Sequence, residues 1–214
     1  MSTAVANDLL ERIGQVPRPE PLLSRESSSR LTKRQQEILD ELAVIFETGF
    51  AHLTMAAIAR QVNCSLRTLY SLAASRDELV LIVVDRKLWP IGRAARDAIQ
   101  SKMDPVEAIR AYLRAANMAV ADTTEAFARD TAKIPAAHEL NDAHNDYLVA
   151  VTKTLLDEAI IRGDIGRCNT AAVARVVAGL GRDFSRPEVL ATLQASPKKA
   201  ADELVDVILR GLQA

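Results

Sequence analysis

Three observations predict an all-α chain. Hydrophobic residues fill 49% of its 214 positions but aromatics only 4%, and an alanine- and leucine-rich mix of this kind favours helices. From residue 32 onward, apolar residues recur at helical spacing behind Ser, Thr or Asp caps. No stretch shows the period-two alternation of a half-buried strand, and no segment repeats. The length suits one ordinary domain, or two small ones sharing a long helix.

In chain order, the segment QVPRPEPLLSRESSSR over 15–30 is rich in proline, serine and charge. This composition favours an extended or disordered segment, so residues 1–30 are expected to be a flexible arm. Its arginines could touch a phosphate backbone, while Glu20 and Glu26 dilute the charge toward a solvated tail. Thr32 with Gln35 makes a capping box, and Ile38, Leu39, Leu42, Ala43 and Phe46 follow at helical spacing until Gly49 offers a stop. Thr54 caps a short helix that turns Met55, Ile58, Ala59 and Val62 inward, and Ser65 caps another through Leu69 and Tyr70. Only Val62, Asn63 and Cys64 separate the two, and Asn63 tolerates the positive φ that a sharp turn requires.

Ser75 and Glu78 form a second capping box opening a long helix, which Pro90 should kink or interrupt. Asp104, Pro105 and Glu107 stand in the order of a helix start, for a helix reaching about residue 121. A start at Asp122 to Glu125 leads to a shorter helix stopped before Pro135, and a long one then runs to Gly163. Thr170 to Phe184 and Pro197 to Leu212 read as two further helices, with a short one between them opened by Ser185 and Glu188.

The net charge of −1 and pI near 6.3 exclude a protein held to nucleic acid by bulk positive charge, so any basic patch must be local. Cys64 and Cys168 form neither a ligand cluster nor a disulfide framework, which fits a reducing compartment and packing roles. The start of the chain lacks the pattern of a signal peptide, and no apolar run approaches the ~20 residues of a membrane span. These features predict a cytoplasmic protein without a membrane partner.

Two short helices joined by a three-residue turn and packed on a longer helix make a helix-turn-helix, whose second helix enters the DNA major groove in proteins that bind DNA. From Thr54 to Arg76 the chain carries Arg60, Arg67 and Arg76 and no acid, a local positive face suited to phosphates. Ile38-Leu39, Gly49-Phe50, Thr54, Ile58-Ala59, Ser65, Thr68-Leu69-Tyr70 and Ser75-Arg76 with Leu79 then complete a pattern. Over about a quarter of the chain, this pattern closely resembles the N-terminal DNA-binding domain of the TetR family of bacterial transcriptional regulators. Asn63 stands where that family has its turn glycine, and Leu72-Ala73 replaces its His-Phe, so Leu72 or a residue of the arm is expected to fill the space of the missing ring.

The resemblance implies phosphate contacts for Thr54, Thr68, Tyr70 and Arg76, which fix register without reading sequence. Leu66 and Arg67 are the expected base readers: Arg67 can take guanine N7 and O6, and Leu66 a thymine methyl. Several of these residues have a plainer alternative. Leu66 could simply pack, Tyr70 could be a half-buried core ring, and Arg60 and Arg76 could be surface charges. Ser65 is explained by capping alone.

The resemblance further implies that the rest of the chain is a helical effector-binding and dimerisation domain. This divides the chain into the arm over 1–30, the helix-turn-helix domain over 31–76 and the effector domain over 77–214. Trp89, Tyr112, Met118, Phe127 and Tyr147 are the large side chains able to line a pocket, with Asp122, His138, His144 and Asn145 as polar anchors; core packing competes for each. His138 and His144 fall on different helical faces with no cysteine beside them, so no metal is expected. No cofactor is implied, and no nucleophile and base stand together, so an enzyme is not expected.

The last helices are apolar beyond one stripe, at Val173, Val176, Val177 and Leu180 and at Leu204, Val207, Ile208 and Leu212. The surplus must meet a large core or another chain. In the resembling family these helices pair two subunits into a homodimer, and a two-fold dimer predicts a palindromic operator. The expected function is that of a dimeric repressor on double-stranded DNA, released by a small-molecule effector, with a hinge near Pro90. The alternative is a helical ligand- or protein-binding module that keeps the helix-turn-helix as structure only.

Overall fold

The computed structural model describes residues 3–100 and 102–213. Its first half contains α1 (Thr3–Gly14), α2 (Arg25–Ser29), α3 (Lys33–Glu47), α4 (Met55–Gln61), α5 (Leu66–Tyr70) and α6 (Arg76–Asp97). The second half contains α7 (Pro105–Ala116), a 3-10 turn (Asn117–Val120), α8 (Glu125–Thr131), α9 (Pro135–Arg162), α10 (Thr170–Phe184), α11 (Pro187–Leu190) and α12 (Pro197–Leu212). No strand occurs among the described residues, and no helix there is long and apolar enough to cross a membrane.

Two apolar cores organise these helices. In the first, α3 opens with the Thr32–Gln35 capping box and buries Ile38, Leu39, Leu42 and Phe46 along one face. Ile58 of α4, Leu69 of α5 and Leu79 to Val83 of α6 complete it, together with Ile134 and Ala137 from the distant start of α9. Leu72 and Ala73 are buried here too, and Leu23 of the arm packs against the same cluster, as does Leu31 just after it.

The second core joins α7, α9, α10 and α12 around Ile109, Tyr112, Leu155, Val177 and Leu209. The two cores share α6, which gives Leu79 to Val83 to one and Ala95 to the other. A boundary after residue 76 therefore falls just inside a helix that serves both. Pro90 lies exposed within α6 and does not interrupt it, because each half of the helix is anchored in its own core.

The expectation of a flexible arm over 1–30 is corrected, although Met1 and Ser2 lie outside the described residues. Residues 3–14 form α1, whose Leu9 and Ile13 are buried in the second core against α9, and Leu22 donates its backbone N–H to the buried Asp85 carboxylate at 3.0 Å. Four-residue spacing places Leu9 and Ile13 on one helical face, a signal overshadowed by the proline-rich stretch that follows. Arg30 pairs with Glu26 on α2.

Several helix ends also shift. The Ser75 hydroxyl accepts the Glu78 N–H, but the Glu78 carboxylate accepts from Ala74 rather than from Ser75, so the box closes one residue early. The helix expected to reach 121 ends at Ala116 and tightens into the 3-10 turn. Thr124 rather than Asp122 caps α8, and α11 follows Arg186 with no side-chain cap bond.

Candidate nucleic-acid interface and internal cavity

The helix-turn-helix forms as local chemistry dictates. Thr54 accepts the Ala57 N–H at 3.1 Å to start α4. Asn63, with φ of 47°, is the one non-glycine residue at positive φ among those described, and it turns the chain so that the Cys64 N–H reaches Ala59 O at 2.9 Å. Ser65 then accepts the Thr68 N–H at 3.0 Å and starts α5.

Buried Leu69 anchors α5, and the opposite face looks outward. Leu66 is 43% exposed and Tyr70 55% exposed, so neither takes the packing role open to it in the sequence. Arg67 is exposed beside them, and among the described residues neither it nor Arg60 has an ion-pair partner. The Thr68 hydroxyl lies 2.8 Å from that of Ser65 and is only partly exposed.

Arg76 is placed differently. Its guanidinium donates to the carbonyls of Ala51 and Leu53 at 2.9 and 3.4 Å and to Asp77 Oδ1 at 2.8 Å. The residue expected to hold a phosphate therefore braces the loop between α3 and α4. Glycine 49 of that loop has a φ of 93°, and a Cβ there would come within 3.2 Å of both Ala126 and Asp130 on α8.

Between the two cores lies a cavity of about 530 Å³, lined by α3, α6, α8, α9 and α10. Phe127 lines it while packing edge-on against Phe50 at 6.0 Å, and so do Asp122, His138, His144 and Asn145. Trp89, Tyr112, Met118 and Tyr147 do not line it. Tyr112 and Tyr147 are buried in the second core with hydroxyls that lack hydrogen-bond partners, and burial pushes the Tyr112 hydroxyl pKa upward. Met118 is 47% exposed on the 3-10 turn. Trp89 donates to the buried carboxylate of Asp85 at 3.1 Å and meets His144 edge-on at 6.0 Å.

Two residues that sequence reasoning passed over belong to this region. Thr131 lines the cavity, and its buried hydroxyl has no partner. The Asp130 carboxylate accepts the backbone N–H groups of Phe50 and Ala51, each at 2.7 Å. Burial works against this charge, but the Ala51 and Phe50 N–H groups and Lys133 outweigh it and hold the Asp130 pKa below its ordinary value. Neither residue carries a sequence signal, since polar residues on a short helix read as solvated surface.

Comparison with known structures places this architecture. A TetR transcription regulator from Haloarcula marismortui matches with a TM-score of 0.71 at 14% identity, over 86% of this chain and 100% of that one. A TetR-like regulator from Rhodococcus sp. RHA1 matches with a TM-score of 0.62 at 24% identity, over 86% and 98%. The TetR family regulator PfmR from Thermus thermophilus matches with a TM-score of 0.60 at 22% identity, over 83% and 99%. The chain therefore has the fold of TetR-family regulators. No protein-family model matches the sequence, and neither does any curated protein.

Proposed function

We propose that this protein is a DNA-binding transcriptional regulator that grips a palindromic operator as a homodimer and is released from it, as a repressor, by a small molecule. The observation that carries the reading is the outward face of α5. A capped helix anchored by Leu69 presents Leu66, Arg67 and Tyr70 to solvent with no internal packing duty, in a stretch without acids. Arg67 reads a guanine edge, Leu66 meets a thymine methyl, and Tyr70 with Thr54 and Thr68 positions the helix on phosphates. The shared fold with known regulators supports the same reading.

Dimerisation uses the outer stripes of α10 and α12. Val176 is 54% exposed and Val207 55% exposed, with Leu204 beside them, on two helices that already pack together. A second copy would cover this apolar surface.

The cavity supplies the effector site. Its walls include Val83 and Leu88 on α6 and Ala43 on α3, so an occupant presses on the helix that enters both cores and on the helix beneath the reading head. An occupant that favours one tilt of α6, with Pro90 as the hinge, changes the spacing of the two heads by population shift.

Selection of bound sequences from a random duplex pool, with a salt titration of the winner, tests the reading. The expected result is a two-fold symmetric site with half-sites about one helical turn apart and affinity falling steeply with salt. Absence of retention on any duplex at low salt would refute it.

A further inference from the structure

The short helix α5 is held by more than its buried face. Of its five residues Leu69 is the one with a buried side chain, so the roll of the helix about its own axis depends on what grips its ends. Two neighbouring residues in the first turn of α3 grip both. The Arg34 guanidinium donates to the carbonyl of Val62, the residue that ends α4 and precedes the Asn63 turn. Among the described residues no backbone N–H reaches that carbonyl, one of those that a helix C-terminus leaves open. A positive charge there also complements the end of the helix dipole.

Gln35 holds the other end. Its Nε2 donates to Ser71 Oγ at 3.1 Å, and Ser71 in turn donates to the carbonyl of Thr68 at 2.7 Å. The Gln35 Oε1 meanwhile accepts the Thr32 N–H at 2.9 Å in the capping box. Both sides fix the orientation of the amide: the Thr32 N–H requires an oxygen, and the Ser71 hydroxyl, its proton given to Thr68, requires a donor. A chain of hydrogen bonds thus runs from the cap of α3 into the last turn of α5. Arg34 is not placed to hold a phosphate. It lies 2.8 Å from Glu41 and 3.5 Å from Glu37, and Lys33 completes a balanced set of two cations and two carboxylates, with no net positive charge for DNA.

We propose that Arg34 and Gln35 are positioning residues, which fix the roll of α5 from its two ends and so set the specificity of DNA recognition without touching DNA, an inference that rests on the regulator reading. A bidentate contact from Arg67 to a base edge weakens steeply once distance and angle leave a narrow range. Contacts to phosphates tolerate more, because attraction between charges makes no such angular demand. A loosened α5 therefore keeps its hold on any duplex and loses its preference for one.

The test uses the full chain, the duplex selected from the random pool and a random duplex of equal length. Arg34→Met and Gln35→Ala are each expected to lower the preference for the selected duplex by about threefold to tenfold, the size of one modest hydrogen bond, with random-duplex affinity and salt slope unchanged. Ser71→Ala leaves the Thr32–Gln35 capping box intact, so it gives a reading even if Gln35→Ala fails to fold. It should lower the preference as Gln35→Ala does, and the double variant should match Gln35→Ala alone, because both remove one contact. A melting temperature that falls with the preference intact would overturn the proposal by making the pair merely structural. A uniform loss of affinity with a shallower salt slope would overturn it by making Arg34 a phosphate contact. Additive losses from Gln35→Ala and Ser71→Ala would overturn it for Gln35. Retention of duplex by the parent with unchanged preference in the variants defeats this inference alone, whereas no retention by the parent defeats the regulator reading and this inference with it.

Discussion

The Asp130 carboxylate on α8 accepts the backbone N–H of Phe50 at 2.7 Å, across 80 residues of chain. The same oxygen takes the Ala51 N–H at 2.7 Å, while Thr124 donates to Glu47 O and Phe127 packs on Phe50. A helix that lines the cavity thus holds the end of α3 and the loop braced from the other side by Arg76.

Replacing Asp130 by Ala removes two charge-assisted hydrogen bonds and should cost about 2 kcal/mol in denaturant unfolding. The Asp130 pKa lies below its ordinary value of 3.8, so the stabilisation is complete above that value and is lost as pH falls through the lower folded-state value. Asp130→Asn should therefore show a flatter acid limb of stability against pH than the parent. An unchanged acid limb would remove the clasp as a source of stability.

The three basic or aromatic positions around α5 should separate by role. Arg67→Ala is expected to relax specificity at one base pair, at about 1–3 kcal/mol for the preferred site. Tyr70→Phe should weaken binding to all sequences alike without changing the salt slope. Arg76→Ala should lower the melting temperature, because its donors hold Ala51 and Leu53. Competition binding across single-base variants, with a melting curve for each protein, distinguishes these outcomes.

Asn63 occupies the left-handed region with φ of 47°. Asn63→Gly should therefore be neutral or slightly stabilising, whereas a β-branched Asn63→Val should cost about 1–2 kcal/mol. Chemical denaturation of the pair measures the difference.

Ile13 is 5% exposed in the second core. Ile13→Ala should cost about 2–3 kcal/mol, whereas a loose arm would show no loss of stability. Thermal unfolding of the full chain decides between them.

The helix-turn-helix was legible residue by residue because its determinants are local. Thr54, Asn63 and Ser65 act on their own backbone within a few positions, and the structure shows each doing so. The limits of α10 and α12 were legible for the same reason, with caps at Asn169 and Ser196. The hydrogen bonds of Arg76 were not legible, because its partners, Ala51 and Leu53, lie more than twenty residues away.

By itself the sequence determined the all-helical class, the turn between α4 and α5 and the acid-free stretch around it, since propensity, capping and charge are properties of neighbouring residues. The tertiary structure alone decided that residues 3–14 belong to a core, that Asp130 clasps Phe50, and that Phe127, Thr131 and Asn145 face one cavity while Tyr112 and Tyr147 do not. A helical pattern states which residues share a face, but what that face meets depends on how distant helices cross.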